Sequence, residues 1–178
     1  MISERLHLPQ GEIELILWDE HGIHEHRLHK NLIVNAGAVL LAGMLMGASG
    51  TTLTHLAIGR GVGNGTQNAP ESAKPSATQL REEAYRTPLT TATYADLNNA
   101  SGLTVVRGER SNKVIFAAEL GVTGLGTVPI TEAGLFGGAN ANARNGGEMF
   151  NWVVFPVINK PDAMNLTFRW SLTFPVQL

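Results

Sequence analysis

Residues 165–174 read NLTFRWSLTF. Leu166, Phe168, Trp170, Leu172 and Phe174 occupy every second position, and Asn165, Thr167, Arg169, Ser171 and Thr173 fill the gaps. Side chains alternate with a period of two on a strand, so this stretch predicts a strand with one apolar face on a core and one polar face outside it. The same period opens the chain. Ile13, Leu15 and Leu17 fall on one face, and Glu14, Ile16 and Trp18 on the other. Asp19, Glu20, His21 and Gly22 supply turn chemistry, and Ile23–Lys30 returns as a second strand, which predicts an N-terminal β-hairpin.

Between these ends, the pattern predicts strands at Leu53–Ile58, Leu89–Tyr94, Leu103–Gly108, Asn112–Leu120, Thr131–Phe136 and Glu148–Ile158. Turn-rich stretches at Asp96–Gly102, Gly137–Gly147 and Lys160–Asp162 separate the later ones. In the penultimate strand, Phe150, Trp152, Val154 and Pro156 share one phase, and Asn151, Val153, Phe155 and Val157 share the other. Both phases are largely apolar, as in a strand covered on both sides. Asn35 is placed to cap a helix over Ala36–Met46 ending at Gly47, with Ala38, Ala42 and Gly43 small enough for close approach to a sheet. No charged residue lies between Lys30 and Arg60, but the apolar run Leu32–Ala48 falls short of a membrane span and reads as a buried helix. Thr78–Tyr85 predicts one or two helical turns, and Gly59–Ser76 a long loop. The expected fold is mainly β: a β-sandwich or Greek-key-like barrel with an N-terminal β-hairpin and one short packed α-helix. The expected organisation is a hairpin arm over 1–30 and a single β-sandwich domain over 31–178, with the long loop at 59–76.

Composition narrows the function classes. The 178 residues suit one domain with a real core. Apolar residues at 43% against 16% charged argue against disorder. A formal net charge of -2 gives no basic field for nucleic acid. The absence of cysteine excludes disulfides, thiolate metal sites and thiol nucleophiles. Met1–Gln10 carries charges and a proline before any apolar run, so no secretory leader is expected.

Tests for chemistry return little. The run GRGVGNG at 59–65 follows a predicted strand but matches neither nucleotide fingerprint, and reads as an assembly loop. His24 and His26, two apart on a predicted strand, share a face and are weak candidate metal ligands; two imidazoles are too few for a monomeric site. Glu132, set in the apolar stretch between Ile130 and Leu135, is expected as a structural buried carboxylate that accepts backbone N–H bonds or pairs with an arginine such as Arg86. No catalytic residue, resident metal or cofactor is expected. Low charge and Gly/Asn-rich loops point to a chain completed by association. The candidate assembly contacts are Gly61, Gly63, Asn64, His24, His26, Asn140 and Asn142.

Taken in order, KNLIVNAG (30–37), LAIGRG (56–61), LREEAYR (80–86), ITEAGLFGG (130–138), FNWVVFP (150–156) and FRWSLTF (168–174) give the chain a resemblance. It resembles structural proteins of tailed bacteriophages, in particular tail-fibre/tail-collar and baseplate-associated N-terminal modules. The resemblance implies a non-enzymatic virion protein, assembled in the bacterial host cytoplasm, acting as an assembly or adaptor component at a fibre attachment, baseplate or collar. It implies a homo-oligomer, trimer or hexamer, meeting other tail, neck or capsid proteins, without nucleic-acid or membrane partners. The alternatives are a capsid decoration protein and a carbohydrate-binding module contacting host polysaccharide.

Overall fold

The computed structural model describes residues 10–61, 73–89, 91–94, 113–121, 124 and 126–174. The elements are β1 (Gln10–Asp19), β2 (Gly22–Ile33), α1 (Asn35–Leu45), β3 (Leu53–Gly59), β4 (Glu83–Pro88), β5 (Thr91–Tyr94), β6 (Lys113–Leu120), β7 (Val128–Gly137), β8 (Glu148–Lys160) and β9 (Asn165–Thr173). The strand expected at Leu103–Gly108 lies outside the described residues. All described pairings are antiparallel, in the order β4-β3-β7-β8-β2-β1-β9-β6-β5.

The two ends of that order are successive pieces of one run of chain. β4 pairs with β3 from Glu83 to Pro88, and β5 then pairs with β6 from Thr91 to Tyr94. Both run in the same direction, because β3 and β6 are both antiparallel to them. A single run thus starts on β3 and passes to β6, bringing an eight-stave sheet nearly to closure as a barrel. Ile13, Leu15 and Leu17 of β1 and Leu166, Phe168, Trp170 and Leu172 of β9 all face the interior core, as their alternation predicts. The N-terminal hairpin is therefore not an arm set apart from the domain: β1 pairs with β9 from Gln10 to Trp18, and burying its apolar face requires that position. β2 and β8 pair only at Leu32–Trp152 and Ile33–Asn151. Beyond that point side chains bridge them: Arg27 donates to the carbonyls of Pro156 (2.6 Å) and Val157 (3.2 Å), and His29 stacks on Phe155 at 5.6 Å.

α1 crosses the barrel end where β2 stops and β3 begins. Leu40 enters the interior core, with Leu41 and Met44 packed on it. The cap differs from expectation: Val34, in extended conformation, precedes the helix without a side-chain cap bond, and Asn35 is the first helical residue. Two early amides find partners elsewhere instead, Val34 N–H on the Phe150 carbonyl (3.2 Å) and Asn35 N–H on the Pro75 carbonyl (2.8 Å). Close approach also falls at a different residue. Of the three expected, Ala38 and Ala42 are exposed and Gly43 meets Thr51, 2.6 Å from where a Cβ would be, whereas the approach to the sheet is at Gly37, where a Cβ would lie 1.8 Å from the Phe150 carbonyl oxygen. The helix ends as expected at Gly47, whose φ of +69 suits glycine.

Phe150 also breaks the expected phase of β8. Leu135 pairs with Asn151 and Phe136 with Met149, leaving Phe150 as the extra residue of a bulge. It turns into the interior core with Val153 and Phe155, while Met149 and Trp152 face a second, outer cluster with Val34, Ala57, Leu80, Phe136 and Ala141. Coverage on both sides of β8 is thus real, but achieved through the slip. Thr78–Tyr85 is not helical. It runs irregularly over the outer cluster to Glu82 and enters β4 at Glu83, because strand pairing to β3 outweighs the local helix preference of its Glu, Ala and Arg residues.

Candidate functional site

The outer cluster contains two carboxylates that apolar burial alone would not tolerate. On β7, Ala133 and Leu135 face the interior core, which turns Glu132 to the outer face. Glu132 is fully buried. Its Oε1 accepts the Glu82 N–H (3.0 Å); its Oε2 accepts the Arg81 N–H (3.3 Å) and the Trp152 indole N–H (2.9 Å). Arg60 N–H donates to the Glu82 carbonyl at 3.0 Å, and the Thr131 hydroxyl donates to the Arg60 carbonyl. Glycine is required at 59, since a Cβ there would lie 2.4 Å from Glu132 Oε1 and 2.6 Å from the Glu82 carbonyl. Glu132 therefore fastens the crossing segment to β7 and β8.

Arg86 takes a different partner from the one considered in the sequence. Its guanidinium forms a bidentate pair with Glu83, Nε to Oε1 at 2.8 Å and Nη2 to Oε2 at 2.7 Å. Its Nη1 donates to the carbonyls of Ala141 (2.7 Å) and Gly146 (2.8 Å), and its Cζ sits 4.1 Å above the Phe136 ring centre. Glu83 Oε2 also accepts the Asn145 N–H at 3.0 Å. Both side chains are nearly inaccessible to solvent. A buried pair with its remaining hydrogen bonds satisfied fixes geometry, here that of the 138–147 loop. The loop's shape also uses Asn140 and Asn145 at φ near +60. Sequence reasoning missed this clamp, although a glutamate and an arginine three apart were in view.

The candidate assembly residues separate. Asn140 and Asn142 are exposed on the clamped loop. Gly61, expected as a contact, is buried, with Thr131 Oγ1 2.8 Å from where its Cβ would be; it belongs to the internal packing. Gly63 and Asn64 lie outside the described residues. His24 and His26 are exposed on the hairpin but do not converge. A register slip opposite Leu17 and Trp18 separates them. His24 Nε2 lies 2.8 Å from Asp19, and His26 Nε2 lies 2.9 Å from Glu14, which also holds Arg169 at 3.1 Å. The hydrogen bond from His24 holds the Asp19 carboxyl below its usual range. Among the described residues no group of three or more His, Asp or Glu side chains is placed to hold a metal.

Two tryptophans, Trp152 and Trp170, are buried, and the indole of half-buried Trp18 donates to Thr167 at 2.9 Å. The exposed apolar surface lies elsewhere. Val39, Leu45 and Met46 along and just after α1 are 70%, 81% and 85% exposed, beside exposed Ala38 and Ala42. The sequence signal was present: this helix is apolar on all sides, while the barrel end covers only one. No helix among the described residues is long and apolar enough to cross a membrane.

No family model matches this chain, and no curated protein matches its sequence.

Proposed function

We propose that the protein is a non-enzymatic structural subunit of a tailed bacteriophage virion, a self-associating assembly or adaptor component of the tail. The observation that carries the self-associating part is the outer face of α1. Val39, Leu45 and Met46 present a large apolar surface on a helix whose surroundings, from Asn31 to Gly59, contain no charged residue. Such a face favours removal from water by a neighbouring subunit. Absence of charge suits contact between identical copies around a symmetry axis, where like residues meet like. The clamped 138–147 loop and the Glu132 fastening support the same reading, because they hold long connections in fixed shape on the outside of the barrel. The resemblance to tail-fibre, collar and baseplate modules supplies the virion context.

Light scattering of the purified full-length chain tests the association: a trimer or hexamer is expected, and the combined Val39→Ser, Leu45→Gln and Met46→Gln variant is expected to be monomeric. A wild-type chain that stays monomeric at about 100 μM, well above the micromolar range of modest interfaces, overturns self-association. Mass spectrometry of purified particles tests the virion assignment, which fails if the polypeptide is absent from them.

A further inference from the structure

The inner wall of the barrel carries a polar patch among its apolar side chains. Ile13 of β1 lies opposite Trp170 of β9 on one side and His29 of β2 on the other, and Gly11 lies likewise between Leu172 and Asn31. Residues directly opposite in a ladder share a face, so Trp170, His29 and Asn31 project to the side on which Ile13 meets the interior core. Asn31 reaches sideways over β1: a Cβ at Gly11 would lie 1.7 Å from its Oδ1, so the carboxamide takes the place of a side chain at 11. That sets it one diagonal step from Trp170 and two positions along β2 from His29.

Four polar atoms of this patch are shut off from solvent without a hydrogen-bond partner: Trp170 Nε1, Asn31 Oδ1 and Nδ2, and His29 Nε2. Trp170 is itself fully buried. The other two such atoms among the described residues, Asn151 Nδ2 and Arg169 Nε, belong to side chains that bond through a second atom: Asn151 Oδ1 accepts the Leu135 N–H at 3.0 Å, and Arg169 Nη1 lies 3.1 Å from Glu14. A buried polar atom left unsatisfied destabilises a fold, and buried groups that lack protein partners are met by internal water. The patch has the chemistry for it. The indole N–H donates and Asn31 Oδ1 accepts. Burial, and then the Arg27 charge, lower the His29 pKa from 6.5, so the ring is neutral near pH 7 and accepts at Nε2 when its proton is on Nδ1. One donor and two acceptors match the three bonds typical of a buried water.

We propose that this patch is a binding site for internal water, in which one molecule accepts from the Trp170 indole and donates to Asn31 Oδ1 and His29 Nε2, tying β9 to β2 across β1. Asn31 Nδ2 points away from Oδ1 on the same carboxamide and donates to a second molecule. The site is independent of self-association.

Nuclear magnetic resonance of the full-length chain, labelled with ¹⁵N at tryptophan, tests the site near neutral pH. The Trp170 indole N–H is expected to show a nuclear Overhauser peak to water, with the sign of a molecule resident for longer than the protein takes to tumble. Trp152 is the reference: it is also buried, but its indole N–H donates to Glu132 at 2.9 Å, and no such peak is expected. A Trp170 peak no stronger than that of Trp152 overturns the proposal. His29→Gln keeps an acceptor and removes the ring proton, and the peak should survive in it; its loss from the folded variant would mark relay through the imidazole and overturn the site. Asn31→Leu gives a second measure that needs no spectrum. Displacing a bound water leaves Trp170 and His29 unsatisfied, so the urea midpoint is expected to fall. A midpoint that is unchanged or higher would mean that the carboxamide had no partner to lose, and overturns the proposal.

Discussion

Replacing Glu132 by Gln changes one atom type and tests the fastening of the crossing segment. Three N–H donors converge on the carboxylate, one on Oε1 and two on Oε2. A carboxamide accepts at one oxygen only. With that oxygen in the Oε2 position it keeps Arg81 and Trp152, and its NH₂ then faces the Glu82 N–H, donor against donor. The reverse orientation loses two bonds and is worse. One charge-assisted bond lost and one buried donor stranded amount to about 2–4 kcal/mol. Glu132→Ala strands all three donors and opens a cavity, and should cost about 5 kcal/mol, near the top of the range for single substitutions. Urea unfolding, followed by far-UV circular dichroism, measures both. A double-mutant cycle with Trp152→Phe should return a coupling of about 1.5–3 kcal/mol, because the indole bond goes to a charged group. If Glu132→Gln costs under about 0.5 kcal/mol, the size of an ordinary surface change, the three bonds do not hold the segment and the reasoning fails.

Other consequences are open to measurement. Gly37→Ala would put a methyl group 1.8 Å from the Phe150 carbonyl oxygen, so α1 must lift from β8; a loss of about 2–3 kcal/mol in urea unfolding is expected. Lys160 is fully buried, its ammonium donates to the Pro161 carbonyl at 3.2 Å, and burial lowers its pKa from 10.5. Lys160→Met removes that desolvation and should raise stability by about 1 kcal/mol, seen as a higher melting temperature. His29 and His55 both have pKa values lowered from 6.5, in each case first by burial, then by Arg27 and Arg86 respectively. The unfolded chain therefore takes up these protons before the folded one does. Stability should be level above about pH 6.5 and decline as pH falls through the window below it, with His29→Gln reducing the decline in a pH series of urea midpoints.

Residues whose neighbours in sequence determine their surroundings were legible without a structure. Leu166 to Leu172 and Ile13 to Leu17 alternate because one face meets a core and the other does not, and both strands lie where that pattern puts them. Residues set by distant partners were not legible. Glu82 to Arg86 has the composition of a helix, yet becomes irregular chain and strand because β3 offers a ladder and Glu132 takes the preceding amides. Phe150 has the phase of Trp152 in the sequence and faces the opposite way in the fold, since one extra residue opposite Leu135 and Phe136 reverses the alternation. Glu132 could be read as a buried carboxylate needing partners, but not which ones: its indole donor is twenty positions away and its amide donors about fifty. The near-closure of the barrel follows from a change of neighbour between Pro88 and Thr91, from β3 to β6, that no local pattern announces.

The pairing of β1 with β9 bears on how the molecule is made. Bonds between Gln10–Trp18 and Asn165–Thr173 join stretches about 150 residues apart, so the first leaves the ribosome well before the second. Until the later stretch emerges, Ile13, Leu15 and Leu17 lack the cover of Leu166, Phe168 and Trp170, and the hairpin has a bare border. A polypeptide cut short before that point cannot complete the wall, so prematurely terminated copies would be marked for proteolysis before they could be built into anything larger.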